Sequence, residues 1–174
     1  METQKFEIVS AQSNIDWVGK KITGEHNGTI TIKAGSLSLN GGKLSGGKFI
    51  IDTRSIKILD ITDPATNAQF AGHLASDDFF SSEKFPEAIL EIMSVSGSHI
   101  EGNLTIKGIM HTVGFDAVIN VNDDTLKASG KLVIDRTKYE MKFRSGNFFK
   151  DLGDTLIYND FDLNVSITAK TNLV

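Results

Sequence analysis

An alternation of apolar and polar residues with a period of two runs through much of this chain and constrains its fold most. Between residues 161 and 169, Phe, Leu, Val, Ile and Ala alternate with Asp, Asn, Ser and Thr. Residues 113–121 and 126–134 repeat the pattern, with an Asn-Asp-Asp turn between them. Successive side chains of a β-strand point to opposite faces, so this period predicts strands that each bury one face.

Several shorter segments carry the same strand signal, and glycine-containing turns separate some of them. So many strands at a spacing of roughly 8–12 residues predict an all-β barrel or sandwich. A barrel buries all the apolar faces together and leaves no open edge. The chain has 2 prolines, which is compatible with continuous hydrogen-bonded ladders. The shorter segments are residues 5–9, 14–20, 28–34, 35–39, 46–54, 88–96 and 98–107.

Two stretches break the strand pattern. Residues 55–87 are too long for a hairpin loop, and a short amphipathic helix is expected inside them, with Asp63 as its N-cap and Pro64 at its first position. The second stretch is residues 136–159. Long connections in a small domain often cover a binding site, so both are candidates for lids.

The composition excludes several classes of function. The chain has no Cys, so disulfides, thiolate zinc sites and a cysteine nucleophile are excluded. A formal net charge of −4 argues against a nucleic-acid partner. No apolar run approaches the ~18 residues of a membrane span. Residues 1–6 lack the apolar region of a signal peptide, so we expect a cytoplasmic protein, or a periplasmic one if a signal peptide was removed.

The histidines offer the strongest hint of chemistry. A cluster of His26, His73 and His111 could bind zinc or serve an enzyme that acts on a hydrophobic substrate, but their spacing matches no metal motif. The alternative is that these rings bond to backbone groups at strand ends, while His99 is a solvated surface residue. No nucleophile elbow surrounds any serine. We therefore assign no catalytic residue, no metal and no cofactor, and keep the histidine enzyme as the alternative.

The 11 phenylalanines are divided by their placement. Phe49, Phe115 and Phe161 stand on alternating strand faces, as core residues would. The doublets at residues 79–80 and 148–149 stand in the two long connections, where both rings could fold over the mouth of a barrel. A cavity lined by Phe would select an alkyl or isoprenoid chain, because Phe carries no polar atom. The other interpretation is a fully packed barrel whose ends are plugged by these rings.

Six short motifs follow one another along nearly the whole chain. They are GxHxGxI at 24–30, HLxSxDFF at 73–80, KFPxA at 84–88, GNLTIKGI at 102–109, IDRxxY at 134–139 and LGD at 152–154. This ordered series resembles the YceI-like family. The resemblance implies one domain over residues 1–174, folded as an antiparallel eight-stranded lipocalin-like β-barrel with a short helix in a long connection. It also implies binding of a lipid such as an isoprenoid quinone, a prenyl phosphate, or a fatty acid or amide. Glu140 stands where a small residue, often Gly, is usual in this family.

The residues and the resemblance together predict a non-enzymatic binding or transport protein. Its barrel would hold an apolar tail, and the two long connections would close one mouth. His26, His73 and Arg136 are the candidates for contact with a polar head group, and Arg would suit a phosphate. A homodimer is possible, although no residue pattern demands one. The residues expected to line the cavity are Phe49, Phe70, Leu74, Phe79, Phe80, Phe115, Tyr139, Phe143 and Phe149.

Overall fold

The computed structural model describes residues 3–21, 24–76, 79–141 and 157–171. Within these ranges it contains nine β-strands, one α-helix and two short 3₁₀ turns, Ser10–Gln12 and Arg136–Tyr139. The helix α1 (Pro64–Ala75) lies between β4 and β5. The strands are β1 (Thr3–Ile8), β2 (Asn14–Lys21), β3 (Gly24–Asn40), β4 (Lys43–Ile58), β5 (Glu87–Ser96), β6 (His99–Ile106), β7 (Ile109–Asn122), β8 (Thr125–Asp135) and β9 (Ile157–Thr171).

The described strands form one antiparallel sheet that closes on itself. Its order is β2-β9-β8-β7-β6-β5-β4-β3, and β3 pairs again with β2. Strand β1 pairs with other parts of the same two neighbours, β3 and β9, so β1 and β2 fill one strand position that the turn Ser10–Gln12 interrupts. The prediction of an all-β, eight-stranded antiparallel barrel with one helix is confirmed.

The boundaries of β3 differ from the prediction. Residues 28–34 and 35–39, predicted as two strands, belong to one strand of 17 residues. Its register on β4 shifts between Thr29 and Thr31 and again between Ile32 and Ala34. The buried positions are even-numbered up to Ile32 and odd-numbered from Leu37 onward. A bulge adds one residue without ending the strand. In the sequence, the resulting change from even-numbered to odd-numbered buried positions looks like the boundary between two strands.

The helix begins where the sequence predicts. Asp63 is the N-cap, and its carboxylate accepts the backbone N–H of Thr66 at 2.9 Å, while Pro64 occupies the first position. No residue of α1 is fully buried, but Phe70, Ala71 and Leu74 pack partly buried against the core. Among the residues that the structure describes, no helix is both long enough and apolar enough to cross a membrane.

The two ends of the barrel are built differently. The hairpin turns at residues 41–42, 97–98 and 123–124 lie at one end, where Phe6, Leu39 and Leu126 are at most 1% exposed. We call this the packed end. The opposite end, which we call the mouth, carries α1 and the turn Arg136–Tyr139. The described parts of both long connections therefore lie at the mouth.

Candidate functional site

A cavity of about 670 Å³ occupies the half of the barrel nearest the mouth. This volume lies within the range of roughly 300–1,000 Å³ that is typical of small-molecule sites. Inward-facing positions of the strands supply most of its wall. The rest comes from α1, from the chain on either side of α1, and from the turn after β8 with Met141. The apolar side chains of the wall are Ile15, Trp17, Ile30, Ile51, Ile56, Ile61, Phe70, Leu74, Phe79, Phe80, Ala88, Leu104, Ile106, Met141, Phe161 and Leu163.

The predicted lining residues fall into four groups. Phe70, Leu74, Phe79 and Phe80 lie together in the cavity wall. Two others, Phe49 and Phe115, line a smaller apolar chamber of about 70 Å³ deeper in the barrel. Tyr139, the last residue of the turn Arg136–Tyr139, is buried in the core and lines neither space. Phe143 and Phe149 lie outside the described residues.

The sequence reasoning missed much of the wall because it followed phenylalanine. Trp17 lies in the wall, and its indole Nε1 donates to the carbonyl oxygen of Thr29 at 3.3 Å. Phe161, whose alternating strand position predicts a core residue, lines the cavity as well. The alternation of apolar and polar residues could have identified these wall residues, because the inward-facing positions near the mouth end of each strand line the cavity.

The doublet Phe79-Phe80 places both rings in the wall because the chain there turns back on α1. The backbone N–H of Phe79 donates to the Ser76 carbonyl oxygen at 3.0 Å, and that of Phe80 donates to the Leu74 carbonyl oxygen at 3.0 Å. The Phe80 ring then meets Phe161 edge to face, with 6.5 Å between centroids. In a strand the two rings would point to opposite faces, whereas this turn allows both to face the cavity.

His26 brings a polar ring into the wall from β3. Its Nδ1 lies 2.7 Å from Oδ2 of Asp60, and Oδ1 of Asp60 accepts the backbone N–H of Asn27 at 3.1 Å. Partial burial raises the pKa of Asp60, but the hydrogen bonds from His26 and Asn27 outweigh it and hold that pKa below its usual value. The ionised carboxylate accepts a hydrogen bond from Nδ1–H of His26, and in that tautomer the Nε2 atom of the ring is a hydrogen-bond acceptor.

Arg136 places a cationic group in a mostly apolar wall. The side chain is 4% exposed, and its Nη1 donates to the Met141 carbonyl oxygen at 2.5 Å. Its guanidinium carbon lies 5.8 Å from the centre of the Phe79 ring, within the range of a cation–π contact. Burial lowers the pKa of Arg136 to about 10, against the opposing effect of Asp135. The group therefore stays charged at neutral pH and favours an anionic or strongly polar ligand atom.

The histidines do not form the predicted three-membered cluster. His73, in the last turn of α1, lies in the cavity wall, 5.1 Å from the Phe79 ring between centroids. The ring of His111 lies elsewhere: its Nε2 is 2.9 Å from the Lys138 carbonyl oxygen. Within the described ranges, no group of three or more potential metal ligands lies together. His99 is exposed, and its Nδ1 lies 3.1 Å from Oδ1 of Asp116.

The turn Arg136–Tyr139, which follows β8, contains two buried side chains, those of Arg136 and Tyr139. Asp135 caps it by accepting the backbone N–H of Thr137 at 3.0 Å. Tyr139 is 1% exposed, and its hydroxyl has no hydrogen-bond partner among the described residues. Burial raises the pKa of Tyr139 to about 12.

Glu140 ends the turn in the left-handed region, with φ of 62° and ψ of 25°. Gly adopts this conformation without strain, which explains why a small residue suits the position.

Comparison with known families gives one match that spans most of the chain. Residues 6–169 match the family described as "YceI-like domain". Among curated proteins, a UPF0312 protein of Staphylococcus aureus (strain bovine RF122 / ET3-1) is 37% identical over 78 residues, which are 41% of this chain and 46% of that protein. The chain thus spans about half the length of the curated relatives it matches.

Solved structures share the barrel at low sequence identity. BcnA of Burkholderia cenocepacia has a TM-score of 0.73 and 21% identity, over 94% of this chain and 99% of that one. A polyisoprenoid binding domain from Saccharophagus degradans, implicated in plant cell wall breakdown, has a TM-score of 0.69 and 12% identity, over 96% and 98% of the two chains. At such identities the likeness concerns the fold.

Proposed function

We propose that this chain, which belongs to the YceI-like family, binds a lipid with a long apolar tail inside its barrel and holds the polar head near the mouth. The observation that carries the proposal is the cavity of about 670 Å³, whose wall is apolar apart from a few polar groups that include Arg136, His26 and His73. The relative described as a polyisoprenoid binding domain supports a polyisoprenoid as the ligand class.

The size of the cavity agrees with a tail of moderate length. At about 30 Å³ for each water-sized group, this volume accommodates on the order of 20 methylene-sized groups. Burial of apolar surface contributes about 25 cal/mol per Å², so a tail that buries on the order of 300 Å² gains roughly 7 kcal/mol before the costs of association. An apolar tail can therefore supply most of the affinity without many polar contacts.

The polar groups in the wall support a position for the head near the mouth. Arg136 is a buried cation that can donate two parallel hydrogen bonds to a phosphate or a carboxylate. His26, oriented by Asp60, presents Nε2 as an acceptor for a hydroxyl group. An anionic head beside Arg136 therefore fits the site best.

Native mass spectrometry of the purified protein, combined with organic extraction, tests the proposal. We expect a co-purified lipid or one-to-one binding of added prenols, prenyl phosphates or fatty acids. The variant Ala88→Phe fills the cavity from a buried wall position and should abolish binding. Ala34→Phe adds the same ring at an exposed position of β3 and should leave binding intact. Absence of any bound lipid, together with no binding of the added ones, would exclude the proposed function.

A further inference from the structure

We propose that a ring of four apolar side chains across the middle of the barrel sets the length of the tail that the cavity accepts. The inference rests on the proposed function. We call this ring the floor, and it consists of Ile15, Ile51, Leu104 and Leu163. These four side chains line both the main cavity and the deeper chamber of about 70 Å³. They therefore form the partition between the two spaces.

The floor extends across the barrel and does not belong to one wall. Its four residues come from four different strands, β2, β4, β6 and β9. In the sheet, β2 and β9 are neighbours, while β4 and β6 are separated from them by β3 on one side and by β7 and β8 on the other. The four side chains therefore come from opposite sides of the barrel, and all of them border both spaces.

The floor is one layer thick. Inward-facing residues recur at every second position of a strand, so neighbouring layers are about 6.6 Å apart. On β9, Phe161 stands one layer nearer the mouth than the floor and lines the main cavity, whereas Val165 stands one layer deeper and lines the chamber. On β4, Thr53 and Phe49 are divided in the same way. Replacement of one floor side chain is therefore sufficient to connect the two spaces.

A tail that enters from the mouth ends at this layer. Each additional buried methylene improves Kd about fourfold, so affinity rises with tail length until the tail reaches the floor. Further carbons then stay outside the cavity and add no affinity. The chamber beyond the floor holds on the order of two methylene-sized groups, and it grows by the volume of any floor side chain that is removed.

The test measures Kd for a series of all-trans prenols that lengthens by one isoprene unit at a time. In the unaltered protein we expect the affinity to rise as the prenol lengthens and then to stay constant, which we call the plateau. Leu163→Ala, at a half-buried floor position, should move the plateau by at least one unit and improve Kd at least tenfold for the first prenol beyond the original plateau. Ile51→Ala, also half-buried, is an independent floor variant that should act in the same direction.

Ile119→Ala is the matched control, because Ile119 is half-buried and lines the deeper chamber but not the main cavity. It removes as many atoms as the floor variants and should leave the plateau where it is. If Ile119→Ala moves the plateau as far as Leu163→Ala does, tails already pass the floor and the proposal is wrong. If lipids bind and neither floor variant moves the plateau, the floor does not set the tail length, while the proposed function still stands. Binding of no lipid at any length overturns the proposed function, and the floor with it.

Discussion

The guanidinium carbon of Arg136 lies 5.8 Å from the centre of the Phe79 ring, and this contact joins the two long connections at the mouth. Phe79 follows α1, and Arg136 begins the turn after β8. Both side chains are buried and both line the cavity. The aromatic ring stabilises the cation in a wall that offers little water, so the charge can be held next to a ligand.

The charge of Arg136 should distinguish anionic from neutral ligands. Arg136→Met keeps an unbranched apolar stem, although a shorter one, and removes the cation. Binding of farnesyl phosphate should therefore weaken by about tenfold to a hundredfold, as expected for the loss of a charge-assisted hydrogen bond. Binding of farnesol should change much less. Titration of both ligands against both proteins measures the difference. An equal loss for the two ligands would mean that Arg136 acts through the shape of the wall, and thermal unfolding should show that the variant is folded.

Any residue larger than glycine at position 28 should destabilise the protein, because β2 and β4 approach Gly28 closely. A Cβ there would lie 1.7 Å from the Lys57 carbonyl oxygen and 2.6 Å from Cζ2 of Trp17. Backbone must move to admit it, so Gly28→Ala should lower the free energy of unfolding by about 3 kcal/mol or more. Gly46→Ala is the control, because a Cβ there meets nothing within 4 Å. Urea unfolding of both variants tests this, and equal stability of the two would contradict the geometry.

The left-handed conformation of Glu140 should make the protein less stable than it could be. A non-glycine residue pays roughly 1–2 kcal/mol in this region, while Gly costs about 0.5–1 kcal/mol in chain entropy. Glu140→Gly should therefore raise the free energy of unfolding by about 0.5–1 kcal/mol. Glu83→Gly removes the same side chain at an exposed turn position without positive φ and should give no gain. Equilibrium unfolding in urea compares them, and a loss of stability in Glu140→Gly would show that its side chain matters more than the strain.

The barrel was predictable from sequence because its cause is local. Alternation over residues 113–121 and 161–169 predicts strands, and the cap Asp63 with Pro64 predicts the helix start; each rests on neighbouring residues alone. The cavity depends on contacts distant in sequence. Phe49 and Phe161 look alike as alternating strand residues, yet one lies below the floor and the other above it. That difference follows from the register of β4 and β9 in the closed sheet, which a period of two cannot reveal.

The hydroxyl of Tyr139 should cost stability, and it should make the protein sensitive to alkali. The hydroxyl is buried without a hydrogen-bond partner among the described residues, so Tyr139→Phe should be neutral or stabilising by about 1 kcal/mol. Burial raises the pKa of the folded state from 10.0 to about 12. The folded state therefore holds its proton more tightly than the unfolded chain, and stability should fall as the pH rises above 10 toward 12. Tyr139→Phe should remove that part of the fall in urea unfolding, whereas curves that stay parallel across this pH range would show that the hydroxyl is not buried in solution.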